Sequence, residues 1–121
     1  MKTILLIEDD PFLADVYSTK FKEVGFDIEV APDGQEGLKK IKTKKPDLLL
    51  LDIVLPGITG WEILEKIRKE EALKDLKIII LSNLTEKEEV EKGLELGVTK
   101  YLIKARYTPT EVVEEVKKIL G

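Results

Sequence analysis

The chain has 121 residues, 43% hydrophobic and 36% charged, with a formal net charge of −4 at pH 7. That length fits one domain with a core of its own, and the acidic balance excludes the basic footprint of a nucleic-acid-binding domain. Cysteine and histidine are both absent, which excludes disulfides, thiolate and imidazole metal sites, a cysteine nucleophile and a histidine general base.

Short apolar runs alternate with longer amphipathic segments. The first strand is expected over 3–8, stopping at Glu8 and Asp9. Asp10 before Pro11 is an N-cap with proline at the first helical position, opening a helix over 11–24 that Gly25 ends. A second strand over 27–31 leads to Asp33 and Glu36, which start a helix over 34–44. The run KKIKTKK at 39–45 reads as the solvated side and end of that helix, where lysines suit the helix dipole, rather than as a phosphate site.

The third strand, 47–52, contains LLLL and ends at Asp52. Thr59 with Glu62 opens a helix over 60–71. The fourth strand, 76–82, ends at Ser82, and Thr85 with Glu88 opens a helix over 86–96 that Gly97 ends. The fifth strand, 100–104, ends at Lys104. Thr108, Pro109 and Glu111 open the last helix, 109–120, which buries Val112, Val113, Val116, Ile119 and Leu120. Continuous apolar strands suit a sheet covered on both faces. Five β–α units with right-handed crossovers predict one α/β domain over 1–121: a three-layer α/β/α sandwich around a five-stranded parallel sheet. The chain opens directly into a strand-like run, and no apolar stretch could span a bilayer, so no membrane contact and a cytoplasmic location are expected.

Ligands of open parallel sheets bind at the strand carboxyl ends. Glu8, Asp9, Asp52, Ser82 and Lys104 should therefore converge. Three carboxylates close together repel, and a divalent cation relieves them. Magnesium takes oxygen ligands and prefers one or two carboxylates beside phosphate, so Asp9 and Asp52 are expected as direct ligands and Glu8 through water. An aspartate can form an acyl phosphate. Ser82 could donate to a phosphoryl oxygen or simply make a turn. Lys104, costly at the end of an apolar strand, should pair with the acids.

On IEDD at 7–10, LLLLDIVLPGITG at 48–60, LSN at 81–83 and YLIK at 101–104, the chain resembles a response-regulator receiver domain of two-component signalling, of the single-domain, chemotaxis-regulator-like kind. The resemblance covers nearly the whole chain and implies the flavodoxin-like strand order 2-1-3-4-5. It implies that Asp52 takes a phosphoryl group from a sensor histidine kinase or a histidine phosphotransfer protein. Mg2+ would be held by Asp9, Asp52 and the Val54 backbone carbonyl, with Glu8 through water. Lys104 would pair with the phosphoryl group, Ser82 would move toward it, and Tyr101 would turn inward. The signal would appear on the face made by the fourth helix, fifth strand and fifth helix, for a downstream protein or an output domain. Pro56, Gly57 and Gly60 would shape the acceptor loop.

Two positions depart from the family pattern. Ala105 stands where proline usually follows the lysine, so that bond is expected to be trans or to hold strain, and Asn83 stands where a small residue is usual. Val54 and Leu84 flank the acceptor with apolar groups, which predicts a long-lived phosphoaspartate. KYLIKARYT lacks the charge pairing of dimeric DNA-binding regulators. The competing reading is a phosphorylation-independent pseudo-receiver acting as an interaction module. An aspartyl-intermediate phosphatase lacks a second acid to activate water, and a nucleotide-binding domain lacks a glycine-rich loop after the first strand. No enzyme activity beyond slow self-dephosphorylation is expected.

Overall fold

The computed structural model describes residues 1–121. Five strands run parallel: β1 (Thr3–Ile7), β2 (Asp27–Ala31), β3 (Leu48–Leu51), β4 (Lys77–Ser82) and β5 (Lys100–Ile103). Their order is β2-β1-β3-β4-β5. Five helices alternate with them: α1 (Pro11–Glu23), α2 (Gly34–Thr43), α3 (Gly60–Lys69), α4 (Lys87–Glu95) and α5 (Pro109–Leu120). The expected three-layer architecture and strand order are both present.

Side chains alternate across each strand, so a buried sheet carries two cores. Leu5, Ile7, Leu49, Leu51, Ile78 and Ile80 face one side and pack with Ile41, Ile63, Leu64 and Ile67 from α2 and α3. Ile4, Leu6, Leu48, Leu50, Ile79, Leu81 and Leu102 face the other, against Tyr17 and Phe21 of α1 and Val112, Val113 and Val116 of α5. No helix is long and apolar enough to cross a membrane.

The caps follow the sequence at four of five helices. Asp10 accepts from Phe12 and Leu13 N–H at 3.0 and 3.2 Å. Asp33 accepts from Glu36 N–H at 2.9 Å. Thr59 with Glu62 and Thr108 with Glu111 form complete capping boxes. The fifth expectation is corrected: Glu86, not Thr85, precedes α4, and it makes no side-chain cap bond. The lysine run does lie along the end of α2, with Lys40 paired to Glu29 and Lys42 to Glu70.

Strand ends also shift. Glu8, Asp52 and Lys104 lie one residue beyond β1, β3 and β5, and Lys104 begins a 3-10 turn over Lys104–Arg106. The backbone still continues the ladder there, since Glu8 N–H donates to Ala31 O at 3.1 Å and Asp52 N–H to Ile7 O at 3.2 Å. A second 3-10 turn, Glu71–Leu73, follows the early end of α3. Every peptide bond is trans, Lys104–Ala105 included.

Candidate functional site

The register places Ile7 beside Leu51 and Ala31, and Leu51 beside Ile80. Strands β1 and β3 therefore end at the same height, and the residues that follow them open into one crevice. Carboxylate oxygens of Glu8, Asp9 and Asp52 lie within 4.8 Å of one another. Glu8 and Asp52 are buried, whereas Asp9 is exposed. Lys104 reaches in from the end of β5, with Nζ 2.8 Å from Asp52 Oδ2 and 2.6 Å from Glu8 Oε1.

One ammonium cannot neutralise three carboxylates. Burial pushes Glu8 above its ordinary value even though the Lys104 hydrogen bond and charge pull it down. Burial alone would lower Lys104, but its hydrogen bonds to Asp52 and Glu8, and then their charges, raise it on balance. Lys104 Nζ serves Glu8 Oε1 at 2.6 Å, and Glu8 Oε2 accepts from Asp10 N–H at 3.2 Å, so the buried carboxylate is held at both oxygens. Three clustered carboxylates sharing one ammonium leave an excess of negative charge, which fits a small divalent cation with bound waters.

The loop after Asp52 is held tightly at its far end. Gly60 N–H donates to Ile53 O at 2.9 Å. A Cβ on Gly60 would lie 2.4 Å from Asp52 O and 2.6 Å from Ile53 Cα, and both are backbone atoms. This close approach is why glycine starts α3. Gly60→Ala is expected to destabilise the fold by about 2–4 kcal/mol and to displace Asp52, measured by urea unfolding. A variant as stable as the parent would contradict the packing. Asp52 Oδ1 accepts from Val54 N–H at 3.3 Å. Gly57 takes a left-handed φ of 75°, and Pro56 beside it is exposed.

Ser82 and Tyr101 meet at Leu84. Ser82 is fully buried, and its Oγ accepts from Leu84 N–H at 3.2 Å. Tyr101 is half-buried and donates from its hydroxyl to Leu84 O at 2.8 Å. The turn role of Ser82 is thus realised here, and Asn83 is exposed. The structure therefore brings Glu8, Asp9, Asp52 and Lys104 together directly. It joins Ser82 and Tyr101 to one another through a single loop residue.

Sequence reasoning missed Tyr17, buried on α1, whose phenol is raised by burial and feels the charges of Lys104, Glu8 and Asp52. Its place in the stripe Ala14, Tyr17, Phe21 reads only as core. The stacking of Lys92 on Trp61, 4.7 Å from the ring centroid, was also unmarked. No residue spacing announces a contact between two helices.

A family description, the response regulator receiver domain, matches residues 4–117. The chain belongs to this receiver family. The alkaline phosphatase synthesis transcriptional regulatory protein PhoP of Bacillus subtilis (strain 168) is 35% identical over 98% of this receiver and 48% of its own length. The phosphate regulon transcriptional regulatory protein PhoB of Pseudomonas aeruginosa is 32% identical over 98% and 52%. The receiver thus spans about half the length of the curated relatives it matches. A solved CheY-like receiver domain from Methanospirillum hungatei JF-1 superposes with a TM-score of 0.91 at 31% identity, covering 99% of this chain and 94% of that one.

Proposed function

We propose that this receiver is a phosphorylation-dependent switch in which Asp52 accepts a phosphoryl group from a phosphohistidine on a sensor histidine kinase or histidine phosphotransfer protein. The observation that carries the reading is Lys104 bridging two buried carboxylates, Asp52 and Glu8, with the Asp9 carboxylate clustered beside them. Asp9, Asp52 and the Val54 carbonyl would hold Mg2+, with Glu8 through water. When bound, the cation would neutralise charge on the phosphoryl oxygens.

The protein's part is positioning and charge. An Asp52 carboxylate oxygen forms the new O–P bond as the donor's N–P bond breaks. The electron pair stays on the imidazole nitrogen, which takes a proton from solvent. Lys104 shifts its contact from the bare carboxylate to a phosphoryl oxygen, and the Ser82 hydroxyl donates to another. Ser82 then ceases to hold Leu84, and Tyr101 follows through its bond to Leu84 O. The α4–β5–α5 face carries the change to a downstream protein or to an output domain, in the cytoplasm, without direct contact with nucleic acid or membrane.

Incubation with acetyl phosphate and Mg2+ should add one phosphoryl group by intact mass, and chelation of the cation should prevent it. Absence of any gain would favour the phosphorylation-independent interaction module. The label should be long-lived, because neither Val54 nor Leu84 can orient water. Val54→Gln, at an exposed position, should shorten its half-life by about tenfold. An unchanged half-life would refute the account of persistence.

A further inference from the structure

Helix α4 is anchored less than its neighbours. It buries only Gly93, whereas α1, α3 and α5 each bury at least three residues. Gly93 itself lies close to the sheet, since a Cβ there would be 2.9 Å from Ile80 Cδ1 and 3.2 Å from Tyr101 Cδ2.

The two ends of α4 are held very differently. At the amino end, next to Ser82 and Leu84, Glu86 provides no side-chain cap. One turn in, Glu89 Oε2 is buried without a hydrogen-bond partner, an arrangement that favours any movement restoring water to it. At the carboxyl end, Arg68 from the last turn of α3 gathers backbone carbonyls from two separate corners. Its Nε donates to Leu96 O and its Nη2 to Gly97 O, both at 2.9 Å. Its Nη1 donates to Lys74 O at 3.0 Å, Leu76 O at 3.3 Å and Leu73 O at 3.4 Å. All five acceptors are backbone atoms. The guanidinium therefore ties the α4–β5 corner to the α3–β4 corner. A lysine, with a single point charge and no planar fork, could not reproduce the set.

We propose that Arg68 is the pivot of the switch, fixing the carboxyl end of α4 so that a displacement begun at Ser82 and Leu84 swings only its amino half. This rests on the phosphoacceptor reading of Asp52. Arg68 touches no reacting atom and acts as a positioning residue through Leu96 and Gly97. The Lys92–Trp61 contact lies between the moving and fixed halves and links α4 to the first turn after the acceptor loop. A downstream partner would then distinguish the two states by the segment 84–91, while the corner at 96–98 offers a constant surface.

Amide exchange of the wild type and Arg68→Lys, before and after acetyl phosphate and Mg2+ and with intact mass recorded in parallel, tests this. The amides of Glu89, Val90, Leu96, Gly97 and Val98 all make backbone hydrogen bonds, so differences report local opening rather than missing bonds. In the unlabelled wild type, Leu96, Gly97 and Val98 should exchange at least about tenfold more slowly than Glu89 and Val90. Arg68→Lys should erase that gradient while the β3 amides stay protected. After labelling, changes should stop before Leu96 in the wild type and reach Val98 in the variant. Equal exchange at the two ends of wild-type α4 overturns the pivot, whether or not Asp52 is labelled and whether or not the variant folds. A gradient that survives in folded Arg68→Lys overturns it too, as do changes running evenly to Val98 in labelled wild type. A missing mass gain would instead overturn the phosphoacceptor reading, with the unlabelled gradient still deciding whether Arg68 fixes this end.

Discussion

Asp52→Asn will take up no phosphoryl group from acetyl phosphate and Mg2+ under conditions that label the wild type. Asparagine keeps the shape and can still accept from Lys104, but its neutral amide oxygen is a poor nucleophile and a poor cation ligand. The labelling rate should fall by at least about 10³-fold. The fold should survive. Asp52 is one of the groups that push Glu8 upward, so its removal leaves one buried carboxylate facing one ammonium. Stability without the cation should stay within about 1 kcal/mol of the wild type or rise, and the stabilisation by Mg2+ should shrink. Intact mass and thermal melts with and without Mg2+ measure both effects. A variant that labels normally would remove Asp52 from the chemistry, whereas a variant that unfolds would make its role structural.

Lys104→Met should have the largest effect on stability. Side chains of Lys104, Glu8 and Asp52 are only 13%, 1% and 8% exposed, so solvent cannot replace the lost cation. Breaking a buried pair by removing one partner costs about 3–5 kcal/mol. The wild type gains stability from the ammonium below its ordinary value of 10.5. That gain is lost as pH rises through the higher folded value. Glu8 works in the opposite sense: raised above 4.5, it holds its proton more tightly folded than unfolded. Stability therefore falls as pH rises from about the ordinary carboxylate value through the folded one. Without Lys104 the folded value of Glu8 rises further, so the deficit of Lys104→Met should narrow as pH falls through that range. Mg2+ should restore part of it at neutral pH. Labelling should also slow, by about 10²-fold. Urea midpoints across pH would show this, and a variant matching the wild type at pH 7 would contradict the electrostatic account.

The fold was legible because its signals are local and agree. Leu48–Leu51 can satisfy an all-apolar run only as a strand covered on both faces, and Asp10–Pro11, Thr59–Glu62 and Thr108–Glu111 each fix a helix start by nearest-neighbour hydrogen bonds. Thr85 carried the same spacing and failed. Helix α4 begins at Lys87 after Glu86, one residue later than the Thr85–Glu88 spacing indicates, and it buries only Gly93, so it lacks the packing that reinforces the other starts. The convergence of Glu8, Asp9, Asp52 and Lys104 followed from topology alone, because strand ends share one edge. The Ser82–Leu84–Tyr101 chain, the five carbonyls on Arg68 and the stacking of Lys92 on Trp61 did not follow. Each depends on side-chain directions between elements distant in sequence.

The central claim is that a phosphoryl group comes to rest on Asp52. Wild-type protein labelled with acetyl phosphate and Mg2+ can be reduced with borohydride, which converts an acyl phosphate to the alcohol, and its peptides fragmented. The account predicts homoserine at position 52 and no other modified carboxylate. Homoserine at Asp9, the longer alcohol 5-hydroxynorvaline at Glu8, a phosphoryl group retained on Ser82, or no modification at all would contradict it.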